Sequence, residues 1–265
     1  MIRKTSVLLL LLSLIMACDQ QKNDMKKILF LHHSTGWNVW LGKTHRYIYK
    51  LTGKSDLRSA ILTYSKETGL NCSVSEQFFP KASPYGWNNY PFDYYNIWVK
   101  HSGKTPYKDE PTLEMIAGEY DMIMFKHCFP VSNILPDTGK PDIDSDVKTL
   151  ENYKLQYNAL KEKMHEFPDT KFVVWTPAVQ VKSRISVEEA ERTRQFYDWI
   201  MNEWDVRGDN IYVWDFYKYE TEGGLFMSEK NSIGPGNSHP DKAFSSKAAD
   251  NLGRFVVDVL ANKIK

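Results

Sequence analysis

Ser34 stands in Leu31-His32-His33-Ser34-Thr35-Gly36, directly after a short apolar run. A serine hydroxyl attacks a carbonyl only when a base takes its proton and fixed donors receive the oxyanion that forms. A serine at a strand end, followed by a tight glycine turn, exposes its Oγ and aims backbone N–H groups at an incoming carbonyl. The same residues would also suit an ordinary polar turn. His239 supplies the missing partner. It lies in Gly234-Pro235-Gly236-Asn237-Ser238-His239-Pro240, an expected loop before the last helix, where glycine and proline would fix it as a general base. A solvated loop histidine is the plain alternative. Asp215, Asp241 or a backbone carbonyl could orient its ring. His32, His33, His127 and His239 fall at one expected edge, which admits a second chemistry, the gathering of a transition metal. No carboxylate stands beside them at ligand spacing, and His32 and His33 alternate faces if the strand continues. The site is therefore read as metal-free, with His33 a hydrogen-bonding group inside it.

Elements that could bring these residues together are legible in the apolar pattern. Short runs at 27–31, 72–79, 122–125, 171–175 and 211–214 read as buried strands. Between them lie helical patterns. Residues 56–68 close at Gly69, and Leu150, Tyr153, Tyr157, Leu160 and Met164 form one stripe ended by Phe167-Pro168. Ser186 and Glu189 make a capping box. The last helix carries Ala248, Leu252, Phe255, Val256 and Val259 on one face and is expected to start after Ser245 or Ser246. Strands alternating with helices predict an α/β, three-layer α/β/α sandwich on a five-stranded parallel sheet. Ligands in such sheets bind beyond the C-terminal strand ends, which selects Ser34, residues 127–133, Thr176-Pro177 and His239. Two stretches, 80–111 and 127–146, read as irregular.

The first residues carry a different message. Arg3 and Lys4 precede an apolar run from Val7 to Met16 that is too short to span a bilayer. Leu14-Ile15-Met16-Ala17-Cys18 resembles a lipobox, so residues 1–17 are expected to be a lipoprotein signal peptide and Cys18 the lipid acceptor. The polar segment 18–26 is then a lipidated tether, and 27–265 the folded domain, held in the cell envelope by its lipid anchor in the membrane. A net charge of +1 offers no footprint for nucleic acid. Cys72 and Cys128 fall at opposite ends of the expected sheet and are read as free thiols.

Together, the His-His-Ser-Thr-Gly block and the terminal His239-Pro240 resemble the SGNH (GDSL-like) hydrolase superfamily, in a branch where His-His-Ser-Thr-Gly replaces Gly-Asp-Ser. The resemblance implies a flavodoxin-like sheet and a cofactor-free serine esterase. Its substrate would be a carbohydrate ester that loses an acyl, often acetyl, group. It also implies Ser34 as nucleophile, His239 as base, and Gly86 and Asn133 as oxyanion donors. Two departures stand out. Lys126-His127-Cys128 occupies the place of the usual Gly-x-Asn-Asp, and Gly236 stands where an aspartate normally orients the histidine, leaving that role to Asp215 or another group. A ring-dense stretch, Phe79, Tyr85, Trp87, Tyr90, Phe92, Tyr94, Tyr95 and Trp98, could offer Trp87 or a neighbour to a sugar face, while most of these rings would glue a long loop to the domain. Two other readings remain open at this point: a non-catalytic glycan-binding lipoprotein on the same fold, and a metal-dependent hydrolase using the rim histidines.

Overall fold

In the computed structural model, residues 25–86 and 89–264 are described; the expected signal peptide, Cys18 and Trp87 lie outside them. Five runs form strands: β1 (Lys26–His32), β2 (Cys72–Phe78), β3 (Met122–Phe125), β4 (Lys171–Trp175) and β5 (Ile211–Trp214). They make one sheet in the order β2-β1-β3-β4-β5, with every pair parallel. This is the flavodoxin-like order, and it reverses between β1 and β3, the position at whose strand ends such sheets bind ligands.

Both faces are covered. Alternate residues of β1, Ile28 and Phe30, pack with Met122, Met124, Val173 and Trp175 under one helical layer. That layer holds α1 (Ser34–Leu41), α2 (Arg46–Thr52) and α3 (Asp56–Glu67). Leu29 and Leu31 face the other way with Ile123, Phe125, Phe172 and Val174. There they meet α4 (Pro91–Tyr95), whose continuation Asn96–Lys100 widens to a π-helical turn, α5 (Leu113–Ile116) and α6 (Leu150–His165). On the same side lies α7 (Val187–Trp199), with its own π-helical end Ile200–Trp204. A short α8 (Phe216–Thr221) follows β5. Next comes an antiparallel hairpin of β6 (Ser232–Gly234) and β7 (Asn237–Pro240). The chain ends in α9 (Lys242–Leu260), on the α1 and α3 face.

Helix starts follow local chemistry. Ser55, Thr149 and Ser186 each accept an N–H of the first turn, and Ser186 and Glu189 form the expected capping box. Each such cap contributes about 1 kcal/mol. Several boundaries differ from the sequence reading. The last helix begins at Lys242, earlier than expected, because the Asp241 side chain caps it by accepting Phe244 N–H. The stretch 80–111 is not irregular throughout, since α4 and its π-helical turn lie within it. Gly36 sits inside the first turn of α1 rather than in a tight turn. His239 lies on a strand rather than a loop.

Of the ring-dense stretch, Phe79, Tyr90, Tyr94, Tyr95 and Trp98 are buried, and Tyr85 and Phe92 are partly buried against the same core. These rings hold the segment onto the sheet.

Candidate active site

The end of β1 sets Ser34 by helix initiation. His33 is the N-cap residue of α1, extended at φ −135° and ψ −175°, and gives no side-chain cap. Its Nε2 meets the Pro80 carbonyl; burial lowers the ring's pKa to about 4 and so keeps it neutral. The first turn of α1 has no acidic side chain. Its opening N–H groups thus present the positive end of the helix dipole at Ser34.

Ser34 is half-buried, and its Oγ lies 3.3 Å from Cys128 Sγ. Cys128 follows β3, so the contact bridges the two strands at which the sheet order reverses. The main chain of Cys128 is held as well as its sulfur. Cys128 N–H donates to Asn89 O at 2.9 Å, and Asn89 Nδ2 donates to Phe79 O at 2.6 Å, tying the loops after β2 and β3 together. Lys126 is buried, with Nζ 3.6 Å from Cys128 Sγ. Its stem passes so close to α1 that a Cβ on Gly36 would stand 2.9 Å from Lys126 Cδ and 2.5 Å from His32 Cβ. The glycine is required by that close approach.

His239 is oriented by its own strand. Its Nδ1 lies 2.9 Å from Asn237 Oδ1, and the same oxygen accepts the His239 backbone N–H at 3.0 Å. A backbone N–H can only donate, so the Asn237 atom facing it is the oxygen. Nδ1 therefore carries the proton, and Nε2 keeps its lone pair. The ring is half-buried with the edge of Phe129 against it, centroids 5.0 Å apart. Burial first, and the positive charge of Lys126 second, hold its pKa below the ordinary histidine value. A neutral imidazole with an open Nε2 is the form a general base requires.

Two ties bring His239 to the Ser34 rim. Phe129 on its ring is the neighbour of Cys128, and Asn38, one turn after Ser34 on α1, donates to Pro240 O at 3.3 Å. Among the described residues no hydrogen bond joins Ser34 Oγ to the ring. The hydroxyl rests on the sulfur.

Other expected members have different partners. Asp215 does stand at the end of β5, but Oδ1 accepts Lys218 N–H at 3.1 Å, capping α8, and Oδ2 accepts Tyr197 Oη–H at 3.0 Å. Asn237 fills the position proposed for it beside the imidazole. Asn133 Nδ2 donates to Glu189 at 3.4 Å, and its Oδ1 accepts from Gln180 at 3.3 Å, towards α7. Gly86 lies on an exposed turn at φ +87°, a conformation that itself favours glycine. Trp87 is outside the described residues.

The four rim histidines are dispersed. His32 Nε2 is 3.1 Å from Glu76 Oε2 on the α1 face, whereas His127 is buried among Tyr94, Phe125 and Tyr157 on the other. Among the described residues no group of three His, Cys, Asp or Glu side chains stands at metal-binding distance. The gathered metal site expected as an alternative is not formed by these histidines.

Asn237 escaped the sequence reading, although Asn-Ser-His carries a usable signal. An Asn side chain commonly accepts the N–H two residues on.

No protein-family model matches the chain, and no curated protein matches it by sequence. Among solved structures it aligns with one described as "The active site of a carbohydrate esterase displays divergent catalytic and non-catalytic binding functions". The alignment has a TM-score of 0.38 and 13% identity, covering 88% of this chain and 68% of that one. A likeness this distant assigns no chemistry.

Proposed function

We propose that the chain is a serine ester hydrolase of the SGNH type, removing an acyl group, acetyl being the simplest, from a carbohydrate at the cell envelope. The observation that carries this reading is the Asn237–His239 hydrogen bond, which leaves Nε2 unprotonated beside the rim where Ser34 opens α1. Ser34 Oγ leaves the sulfur contact, a weak hydrogen bond, and attacks the acyl carbon while its proton passes to His239 Nε2. The oxyanion is received by N–H groups at the start of α1, an arrangement that favours negative charge; the family pattern adds Gly86. Collapse expels the sugar hydroxyl, which takes the proton back from His239. Water then cleaves the acyl-enzyme by the same proton route, so no cofactor enters.

A second reading, glycan binding without turnover, draws on the Ser34–Cys128 pairing and on the engagement of Asn133 with Glu189. A fluorophosphonate probe separates the two. The esterase reading expects labelling at Ser34, lost in Ser34→Ala. It also expects Ser34→Ala and His239→Ala each to lower hydrolysis of a chromogenic acetyl ester by about 10³-fold or more at unchanged melting temperature. An unlabelled protein that still binds glycan is a lectin-like relative. Full activity in either variant would sink the mechanism, and loss in EDTA restored by zinc would move the reaction to a metal.

A further inference from the structure

Helix α2 is seven residues long and none of them is buried. Tyr47, Ile48 and Leu51 are 62%, 51% and 83% exposed. At spacings of three and four they share one outward face, while Tyr49 turns inward and donates to Glu76 Oε1 at 3.0 Å. Around these apolar residues the charge has one sign. Lys43, Arg46, Lys50 and Lys54 are exposed, and no Asp or Glu occurs from Trp40 to Ser55. Acids close to this segment are engaged elsewhere: Asp56 accepts from Lys43 N–H and Thr44, Glu76 from Tyr49 and His32, and Asp241, which lines the cavity beside the helix, accepts Phe244 N–H. Beside the helix a cavity of about 400 Å³ is lined by Leu41, Arg46, Lys242 and Ile233 among others, with Ile233 60% exposed. An outward apolar stripe ringed by cations is the composition of an element that lies in a bilayer interface.

We propose that α2 and its basic rim dock onto an anionic lipid surface. The reach of the chain agrees. β1 starts at Lys26, and Glu76, which anchors Tyr49, lies beside Phe30 in the register. Phe30 lies about four strand residues, some 13 Å along β1, from the point where the domain begins, and Tyr49 reaches from α2 to the strand beside it. The segment from Cys18 to Met25 can extend about 24 Å. A lipid on Cys18 and a docked α2 can thus occupy one membrane together. Docking would fix how the domain stands on the surface, which a single lipid on Cys18 would not do.

The test uses the mature chain with Cys18→Ser, so that binding reads the surface and not the anchor. It measures cosedimentation with phosphatidylcholine vesicles with and without phosphatidylglycerol. Binding is expected only to the anionic vesicles, weakening with added salt. Arg46→Gln with Lys50→Gln should weaken it about 30-fold, roughly fivefold for each cation. Leu51→Glu should abolish it, with the melting temperature unchanged in both variants because all three side chains are exposed. Equal binding to neutral vesicles, no binding to either, or self-association lost in Leu51→Glu without vesicle binding would each overturn the proposal. Esterase activity plays no part in this readout, so the two proposals fail separately.

Discussion

A ring nitrogen that donates to an amide oxygen gains orientation without gaining a counter-charge. In the proposed mechanism Asn237 thus fixes the tautomer of His239 but does little to stabilise the imidazolium formed when Ser34 loses its proton. Lys126 pushes the same way, so the base stays neutral into mildly acidic solution, and the acid limb of kcat/KM is expected below pH 6.5, the ordinary histidine value. Asn237→Asp adds a negative charge beside Nδ1 and should move that limb to higher pH. Asn237→Ala should lower kcat by about 10²-fold with little change in KM, because only the proton transfer loses its geometry. Lys126→Met also moves the limb upward. It should not lower the melting temperature, since this buried ammonium makes no ion pair among the described residues and its loss removes a desolvated charge. A purely structural lysine would give the opposite thermal result.

Among the elements, the central strands β1, β3 and β4 were legible because each holds a short apolar run buried on both faces, as at Met122–Phe125; β2 and β5, at the sheet edges, are only partly buried. The long helices were legible from a stripe or a cap, as in α6 and α7. The first helix was not, because α1 spans only Ser34–Leu41 and mixes Trp37, Val39 and Trp40 with polar residues under two neighbours. The β6–β7 hairpin was hidden too, since Asn-Ser-His-Pro has no alternation to reveal a strand. As to the site, Ser34 and His239 could be singled out by residue type and position. The neutral partner of His239 and the sulfur beside Ser34 depend on pairings that spacing does not encode. Packing of α9 on α3 makes a separate prediction. A Cβ on Gly253 would stand 2.6 Å from Ala60 Cβ, so Gly253→Val should cost about 2 kcal/mol, roughly 4–8 °C in a domain of this size. Calorimetry should find part of this recovered when Ala60→Gly is added.

Over the whole molecule, buried titratable groups of both kinds shape stability with pH. Burial lowers His33 to about 4 and His127 to about 3, and it lowers His32 as well. Burial also raises Glu110 to about 7 and Glu220 to about 8. The histidines are neutral when folded and charge on unfolding below pH 6.5, so their contribution is complete above that value and is lost as pH falls towards the folded values. The carboxyls are protonated when folded and ionise on unfolding above pH 4.5, so theirs is complete below that value and is lost as pH rises to the folded ones. Between pH 4.5 and 6.5 the two oppose each other. Melting temperature is expected to be nearly flat there and to fall on both sides. Glu220→Gln should flatten the alkaline fall, and a maximum above pH 8 would contradict the assignment.

Among the described residues, the hairpin that carries His239 pairs only with itself. Asn38 to Pro240, Val181 to Ser238 and Arg184 to Gly236 are hydrogen bonds that tie it to the body. Its hold on the domain is that of a clasp, whereas the strand bearing the approach to Ser34 is ladder-bonded on both sides. Opening the clasp costs far less than global unfolding. The amides of Asn237, Ser238 and His239 should therefore exchange with deuterium well before those of Ile28–Leu31. On warming, the proposed base His239 would be carried away from the Ser34 rim while the sheet is still intact, so any activity of the proposed kind would meet its temperature limit in a four-residue strand and not in the core.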